Sequence, residues 1–295
     1  MKPYRPHPRG TPWVFLAPFL LLFGVFTAWP LLRSLQLAFE QTSGPQTTVF
    51  VGLKNFRYLA TDPLFWQAME NTVTFTLGAV CVQVPVALGL ALLLNRPDLR
   101  GRALFRLIFF APSLIGMVFV ALLFLPMLEK RTGLVNIWLH AVYPPWNLEF
   151  AWLENYAMTA LILATVWVGA GFMMVFFLAA LQHVPAELLE AAHIDGAGAR
   201  QRFWHIVLPE LRPVLGLMTL LAIVGSMQLF ELSYLLLGDT GGVGNRGLSL
   251  VMYLYQTGFT TGDLGYASAI GWVLALLLMG VAMLQRHLAR RAQED

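Results

Sequence analysis

The sequence predicts an all-α membrane protein of six transmembrane helices in a single domain, 1–295. Three observations predict it. Hydrophobic residues fill 58% of the positions and charged residues 12%, with a mean hydropathy of +0.66, whereas soluble domains average about 25% charged. Six apolar runs are each long enough to cross roughly 30 Å of hydrocarbon, which takes about 20 helical residues. Finally, the nineteen Lys and Arg residues divide unevenly between alternate linkers.

The runs cover about 13–36, 71–95, 105–128, 157–181, 214–237 and 267–285. The first follows Lys2, Arg5 and Arg9, as a signal peptide would. Its apolar stretch passes Pro18 and reaches about Leu32 with no small-residue cleavage site, which predicts a retained span. The third contains Pro112 and Pro126 and is expected to kink or fray, as spans tolerate when neighbours satisfy the freed carbonyls. The fifth and sixth are the clearest runs.

Thirteen basic residues fall in one set of linkers: Lys2, Arg5 and Arg9; Arg96, Arg100, Arg102 and Arg106; Arg200, Arg202 and Arg212; Arg286, Arg290 and Arg291. Six fall in the other: Arg33, Lys54, Arg57, Lys130, Arg131 and Arg246. Basic residues stay on the cytoplasmic side. Both termini and residues 184–209 are therefore expected in the cytoplasm, and segments 37–70, 129–156 and 238–266 outside. Trp138, Trp146, Trp152, Tyr143 and Tyr156 in the second outer segment suit a headgroup boundary. The glycine-rich "GDTGGVGNRG" in the third reads as flexible.

Several function classes drop out. A net charge of +3 gives no case for nucleic acid. The lone Cys81 permits neither a disulfide framework nor a Cys/His metal site, and it reads as a small core residue. None of Lys2, Lys54 and Lys130 follows the spaced glycines of a phosphate-binding loop, so this chain does not hold ATP in that way. The spans carry almost no ionisable groups besides Glu231, unlike a proton-driven transporter or a membrane enzyme with a His/Asp/Glu cluster. Energy for any work the chain does is expected to enter from a partner.

Residues 184–209 are the polar exception between two apolar runs. Pro185 suits a first helical turn, Glu187 and Glu190 favour a helix N-terminus, and Gly196 suits a C-cap. A second short helix is expected from about Ala197 to Val207, stopped by Pro209. His193 and His205 read as solvated or locally packed. Physics alone leaves two readings: a surface that receives a partner, or an amphipathic linker lying on lipid.

The spacing Glu190-Ala191-Ala192, three residues, Gly196, nine residues, Ile206, one residue, Leu208-Pro209 resembles the EAA signature of ATP-binding-cassette importer permeases at all seven specified positions. "VGLKNFRYLATDPLFWQAMENTVTF", "LRGRALFRLIFFAPSLIG" and "GYASAIGWVLAL" are similar to the carbohydrate-uptake members, most of all the first permease of the maltose, lactose and glycerol-3-phosphate kind. The resemblance implies a type I importer fold in its minimal six-span form. It also implies that 184–209 is a coupling segment, with Glu190, Ala191, Ala192, Asp195, Gly196, Ile206, Leu208 and Pro209 docking into a cytoplasmic ATPase. The family often has Gly-Gly-Pro after the fifth span, where this chain has Gly241-Gly242-Val243.

The implied partners are a second, homologous permease, two copies of the ATPase, an extracytoplasmic solute-binding protein, a carbohydrate and the bilayer. ATP and Mg would be bound by the ATPase and no cofactor by this chain.

A sugar site is expected near the midplane, where helix interruptions expose polar backbone, by analogy with secondary transporters. Thr165 to Phe172 lies about 12–22 Å from the start of the fourth span, with Thr165, Gly169 and Phe172 on one face. Carried over from the resembled family, the path residues on this span are Thr165, Trp167, Gly169 and Phe172. Gly169 and Gly171 equally suit close helix packing. In the fifth span Ser226 and Gln228 are candidate hydroxyl partners. Glu231 shares a face with Gln228 and reads either as a path residue or as a solvated acid near the boundary. Gln83 is a candidate for helix-to-helix bonding.

Overall fold

A computed structural model describes residues 11–42, 48–96 and 98–294. Lys2, Arg5 and Arg9 lie outside the described residues, as do the side chains of Arg290 and Arg291. The architecture is helical, with a single two-stranded hairpin among the described residues.

In chain order the elements are α1 (Thr11–Phe23), α2 (Trp29–Leu37), β1 (Glu40–Thr42), β2 (Thr48–Phe50), α3 (Lys54–Thr61), α4 (Pro63–Leu94), α5 (Arg102–Phe110) and α6 (Met117–Leu128). Then follow α7 (Leu134–Val142), α8 (Trp152–Asn155), α9 (Ala157–Leu181), α10 (Ala186–Ile194), α11 (Ala199–Arg202), α12 (Leu208–Met227), α13 (Glu231–Leu237), α14 (Leu250–Tyr255) and α15 (Leu264–Glu294).

Five helical runs are long and apolar enough to cross a membrane: Trp13–Leu37, Pro63–Leu94, Ala157–Leu181, Ala199–Met227 and Leu264–His287. The pair Arg102–Leu114 and Met117–Leu128 makes a sixth if its two arms count together, but they are bent by 100°. The expected third span is thus a fracture at Ile115–Gly116 and not a mild kink. Pro112 sits at the start of a short 3₁₀ turn, Ala111–Leu114, Ile115 caps it in extended backbone, and Gly116 stays extended before α6.

The second span starts at Pro63, eight residues before the expected 71, because the proline sits at the first helical position, where its missing donor goes unused.

Two prolines fail to stop their helices for one shared reason. Inside a helix, proline removes a donor and its ring collides with the carbonyl four residues back. For Pro30 and Pro209 those carbonyls belong to Phe26 and His205, which lie in π turns, Gly24–Ala28 and Phe203–Val207. Each turn closes with an i→i+5 bond, Trp29 to Gly24 and Leu208 to Phe203. The widened turn displaces the offending carbonyl. The expected stop at Pro209 is therefore absent, and the helix runs from Ala199 to Met227.

The fifth span differs most from expectation. Instead of a helix over 214–237, α12 ends at Met227, Gln228 to Phe230 leave helical geometry, and α13 starts at Glu231. Gln228 and Glu231 therefore do not share a helix face.

The chain divides into two compact units. The first holds residues up to Asp62 together with Leu254–Val273. Its polar contacts tie separate stretches together: Arg33 grips Glu40 with both guanidinium nitrogens at 3.0 Å, and Asn55 donates to the carbonyls of Ala38 and Glu40 at 3.0 and 2.9 Å. Tyr266 donates to the buried Asp62 carboxylate at 2.6 Å.

The second unit, Pro63–Tyr253 and Leu274–Asp295, holds two apolar clusters. One joins Ala87, Met174, Phe177, Leu211 and Met218, from α4, α9 and α12. The other joins Phe75, Val120, Leu161, Leu232 and Leu236, from α4, α6, α9 and α13. The central helix α9 serves both. Its glycines permit the approach: a Cβ on Gly169 would overlap the Gln83 amide, and one on Gly171 the Phe109 carbonyl.

A separate, wholly apolar cavity of about 300 Å³ is walled by Val73, Leu77 and Cys81 of α4, Ile223 and Met227 of α12, and Leu277 and Val281 of α15. Cys81 is exposed there and not in the core as expected, because in lipid a small apolar residue suits an outer face as well as an inner one.

Candidate functional site

The break in the fifth span lies at the seam between the two clusters. α12 contributes Leu211 and Met218 to one, and α13 contributes Leu232 and Leu236 to the other. A pocket of about 210 Å³ opens at the break. It gathers Thr165 from α9, Ser226 and Gln228 from the end of α12, and Glu231 from the start of α13. Phe75, Met117, Leu229, Phe230 and Leu232 supply apolar wall. Ser226 is buried, Thr165 half-buried, and Gln228 and Glu231 are exposed to the opening.

Four of the seven path candidates therefore meet in one place. The other three do not line it. Trp167, 41% exposed, packs its ring on Phe124 at 5.8 Å. Phe172, 43% exposed, meets Phe176 at 4.9 Å. Gly169 lies against Gln83, whose amide contacts the Met173 sulfur at 3.6 Å.

The break is held from a distance. The Ser249 hydroxyl donates to the Leu229 carbonyl, which the lost helix leaves unserved. Ser233 donates to the Gly247 carbonyl at 2.5 Å. Asn71 on α4 donates to the carbonyls of Asn245 and Leu248 at 2.7 and 3.0 Å, and Gln67 to that of Gly244 at 2.8 Å. Thr72 accepts from the Leu250 amide at 2.9 Å. The glycine-rich loop after α13 is therefore fastened to α4. Sequence reasoning missed Asn71, Ser249, Phe75, Met117 and Phe230. Only the polarity of Asn71 and Ser249, in or beside apolar runs, could have pointed to any of them.

Residues 184–209 form a helix, a turn and a second helix. α10 ends at Ile194 with Asp195 as its cap, and Gly196 follows with φ +80°, a conformation that other residues adopt at a cost. The Gln201 side chain accepts from the Gly198 amide at 2.9 Å, closing the start of α11. Between the arms lies a concave groove of about 340 Å³ lined by Ala192, Asp195, Gly196, Ala197, Gln201, Arg202, His205 and Ile206. Glu190 and Ala191 are exposed outside it, and Leu208 and Pro209 are half-buried where α12 begins. His193 is exposed, and His205 Nδ1 lies 2.9 Å from the Gln201 carbonyl.

The aromatic residues of 129–156 have a different role from a headgroup belt alone. Trp146 and Trp152 donate to one carbonyl oxygen of the buried Asn136, at 3.3 and 2.8 Å, and their rings stack at 5.9 Å. Beside them, the Glu129 carboxyl is held below the usual carboxylate range, first by the Thr132 amide, then by the Thr132 hydroxyl and the Arg131 amide.

This arrangement, helical spans with a polar break and a short charged helix pair in one linker, is that of an importer permease. The chain belongs to the family described as the binding-protein-dependent transport system inner membrane component, whose profile matches residues 83–294. Several relatives carry sugar-permease names, as the resemblance of "VGLKNFRYLATDPLFWQAMENTVTF", "LRGRALFRLIFFAPSLIG" and "GYASAIGWVLAL" implied.

The arabinooligosaccharides transport system permease protein AraP of Bacillus subtilis is 36% identical over 285 residues, 95% of this chain and 89% of that protein. The lactose transport system permease protein LacF of Rhizobium radiobacter is 36% identical over 281 residues, 94% and 93%. A crystal structure of a bacterial ABC transporter involved in import of the acidic polysaccharide alginate superposes with a TM-score of 0.83 at 25% identity, covering 95% of this chain and 94% of that one.

Proposed function

We propose that this chain is one half of the translocation path of an ATP-driven carbohydrate importer, lying in the inner membrane with both termini in the cytoplasm. A second, homologous permease completes the path. Two copies of a separate ATPase, which hold ATP and Mg, drive it, and an extracytoplasmic solute-binding protein delivers the sugar. The chain itself breaks no bond.

One observation carries the reading: a single helical run, Ala199–Met227, joins the two candidate regions. Its 29 residues span about 40 Å at 1.5 Å per residue. At one end lies the EAA-type segment, which docks on the ATPase, with Glu190 paired to a basic residue there. At the other end lies the pocket of Thr165, Ser226, Gln228 and Glu231. A displacement imposed by the closing ATPases reaches the pocket along this rod, as rocking between inward-open and outward-open states requires. Relatives named for arabinooligosaccharides and lactose support a saccharide cargo, while the alginate importer leaves its charge open.

Co-expression with the neighbouring genes tests the reading. An ATPase should co-purify, and Glu190→Lys should abolish uptake while leaving the chain in the membrane. Intact uptake and coupling in that variant would remove the docking assignment. Thr165→Ala and Gln228→Ala should each weaken uptake by about tenfold, the scale of one or two lost hydrogen bonds. Unchanged affinity and rate in both would take the pocket off the path.

A further inference from the structure

We propose that the pocket at the fifth-span break selects uncharged, hydroxyl-bearing saccharides and disfavours those carrying a carboxylate, sulfonate or phosphate. This rests on the reading of that pocket as part of the path.

The lining contains one ionisable side chain, Glu231, and no Lys, Arg or His. The remaining polar groups, Thr165, Ser226 and Gln228, offer neutral donors and acceptors of the kind that pair with sugar hydroxyls. Among the described residues, no hydrogen bond or ion pair of the chain engages these four side chains. They are therefore available to a guest.

The backbone adds to the same sign. The C-terminal end of α12, a 20-residue helix, faces the break at Met227, and the C-terminus of a helix carries about half a negative charge. α13, on the other side, is only seven residues long, and its first residue is Glu231 itself. Its positive end is met by its own acid and does not offset the field of α12.

A saccharide hydroxyl donates to a carboxylate with a charge-assisted bond. A uronate or sugar phosphate would instead meet a like charge on the same lining, where Coulomb repulsion at close range is worth about tenfold in affinity even near an exposed side chain.

The whole importer, assembled with its permease partner, ATPase and binding protein in proteoliposomes, is supplied with one mixed library. Arabinan, xylan and pectin hydrolysates together contain neutral and uronate-bearing oligosaccharides of similar length. Internalised species are identified by mass spectrometry for the wild type, Glu231→Gln and Glu231→Lys. The ratio of neutral to acidic uptake is compared between variants, so that the selectivity of the binding protein, common to all three, cancels.

The neutral-to-acidic ratio should fall several-fold in Glu231→Gln and about tenfold or more in Glu231→Lys. A ratio unmoved by either substitution while total uptake changes would overturn the charge selection alone. Uptake unaffected in both variants and in Thr165→Ala and Gln228→Ala would instead overturn the assignment of the pocket to the path. Uptake of no saccharide at all would overturn the carbohydrate reading.

Discussion

At one end of the helical run Ala199–Met227 the chain turns on Gly196, with φ +80°, between two helices that are each closed by their own residues. At the other end it leaves helical geometry at Gln228–Phe230, where there is neither glycine nor proline. The first break is local: a glycine, a capping glutamine and a cluster of small residues make it without help. The second is imposed from elsewhere, by a serine twenty residues on and by a loop fastened to α4 through Asn71. A local break keeps its shape whatever its surroundings do, which suits a part that must fit a partner as a unit. A break held by remote contacts can change when those contacts change, which suits a part that must open.

The comparison yields three expectations, ordered by size. Gly196→Val should have the largest effect, since a β-branched residue in the left-handed region costs about 1–2 kcal/mol or more. Uptake should fall at least about tenfold while membrane fractionation still finds the chain inserted. Normal uptake would mean that the turn's shape is not what the partner needs.

Ser249→Ala should come next. Leaving the Leu229 carbonyl unpaired away from water costs about 1–3 kcal/mol. Amide hydrogen exchange should rise through 229–237, and thermal unfolding of the purified assembly should move down, with Ser249→Thr restoring both. If exchange there is unchanged in the alanine variant, the break is as local as the first.

Gln201→Ala should be smallest, about 0.5–1 kcal/mol for a lost helix-start bond. Faster exchange should be confined to 198–202, with uptake nearly unaffected, because the turn at Gly196 remains.

The same contrast explains what could be read in advance. Span existence follows from hydrocarbon thickness, so runs such as 157–181 matched the structure closely. Gly196 was legible because its conformation needs that residue. Thr165 was legible because α9 is unbroken and its depth follows from counting. Pro209 misled because the rule that proline stops a helix assumes α geometry, and the π turn before it is invisible in composition. The break at Gln228–Phe230 was hidden because "SMQLFEL" carries no local signal and its cause lies at Ser249. Phe75 and Met117 were silent because an apolar residue in an apolar run says nothing about which neighbour it faces. Cys81 was misplaced by the same ambiguity: in lipid, an apolar side chain is at home on either face.

That misplaced residue has a practical consequence. The sequence contains one cysteine, and it stands exposed on the wall of a cavity shared with Ile223 and Met227, the last turns of α12 before the break. A maleimide fluorophore or spin label attached to the native thiol would report on the α4–α12 gap with no other cysteine of this chain to remove. This chain thus carries its own single-site reporter beside the break in the fifth span; labelled before it is assembled with its partners, its signal should change when nucleotide is added if the break moves.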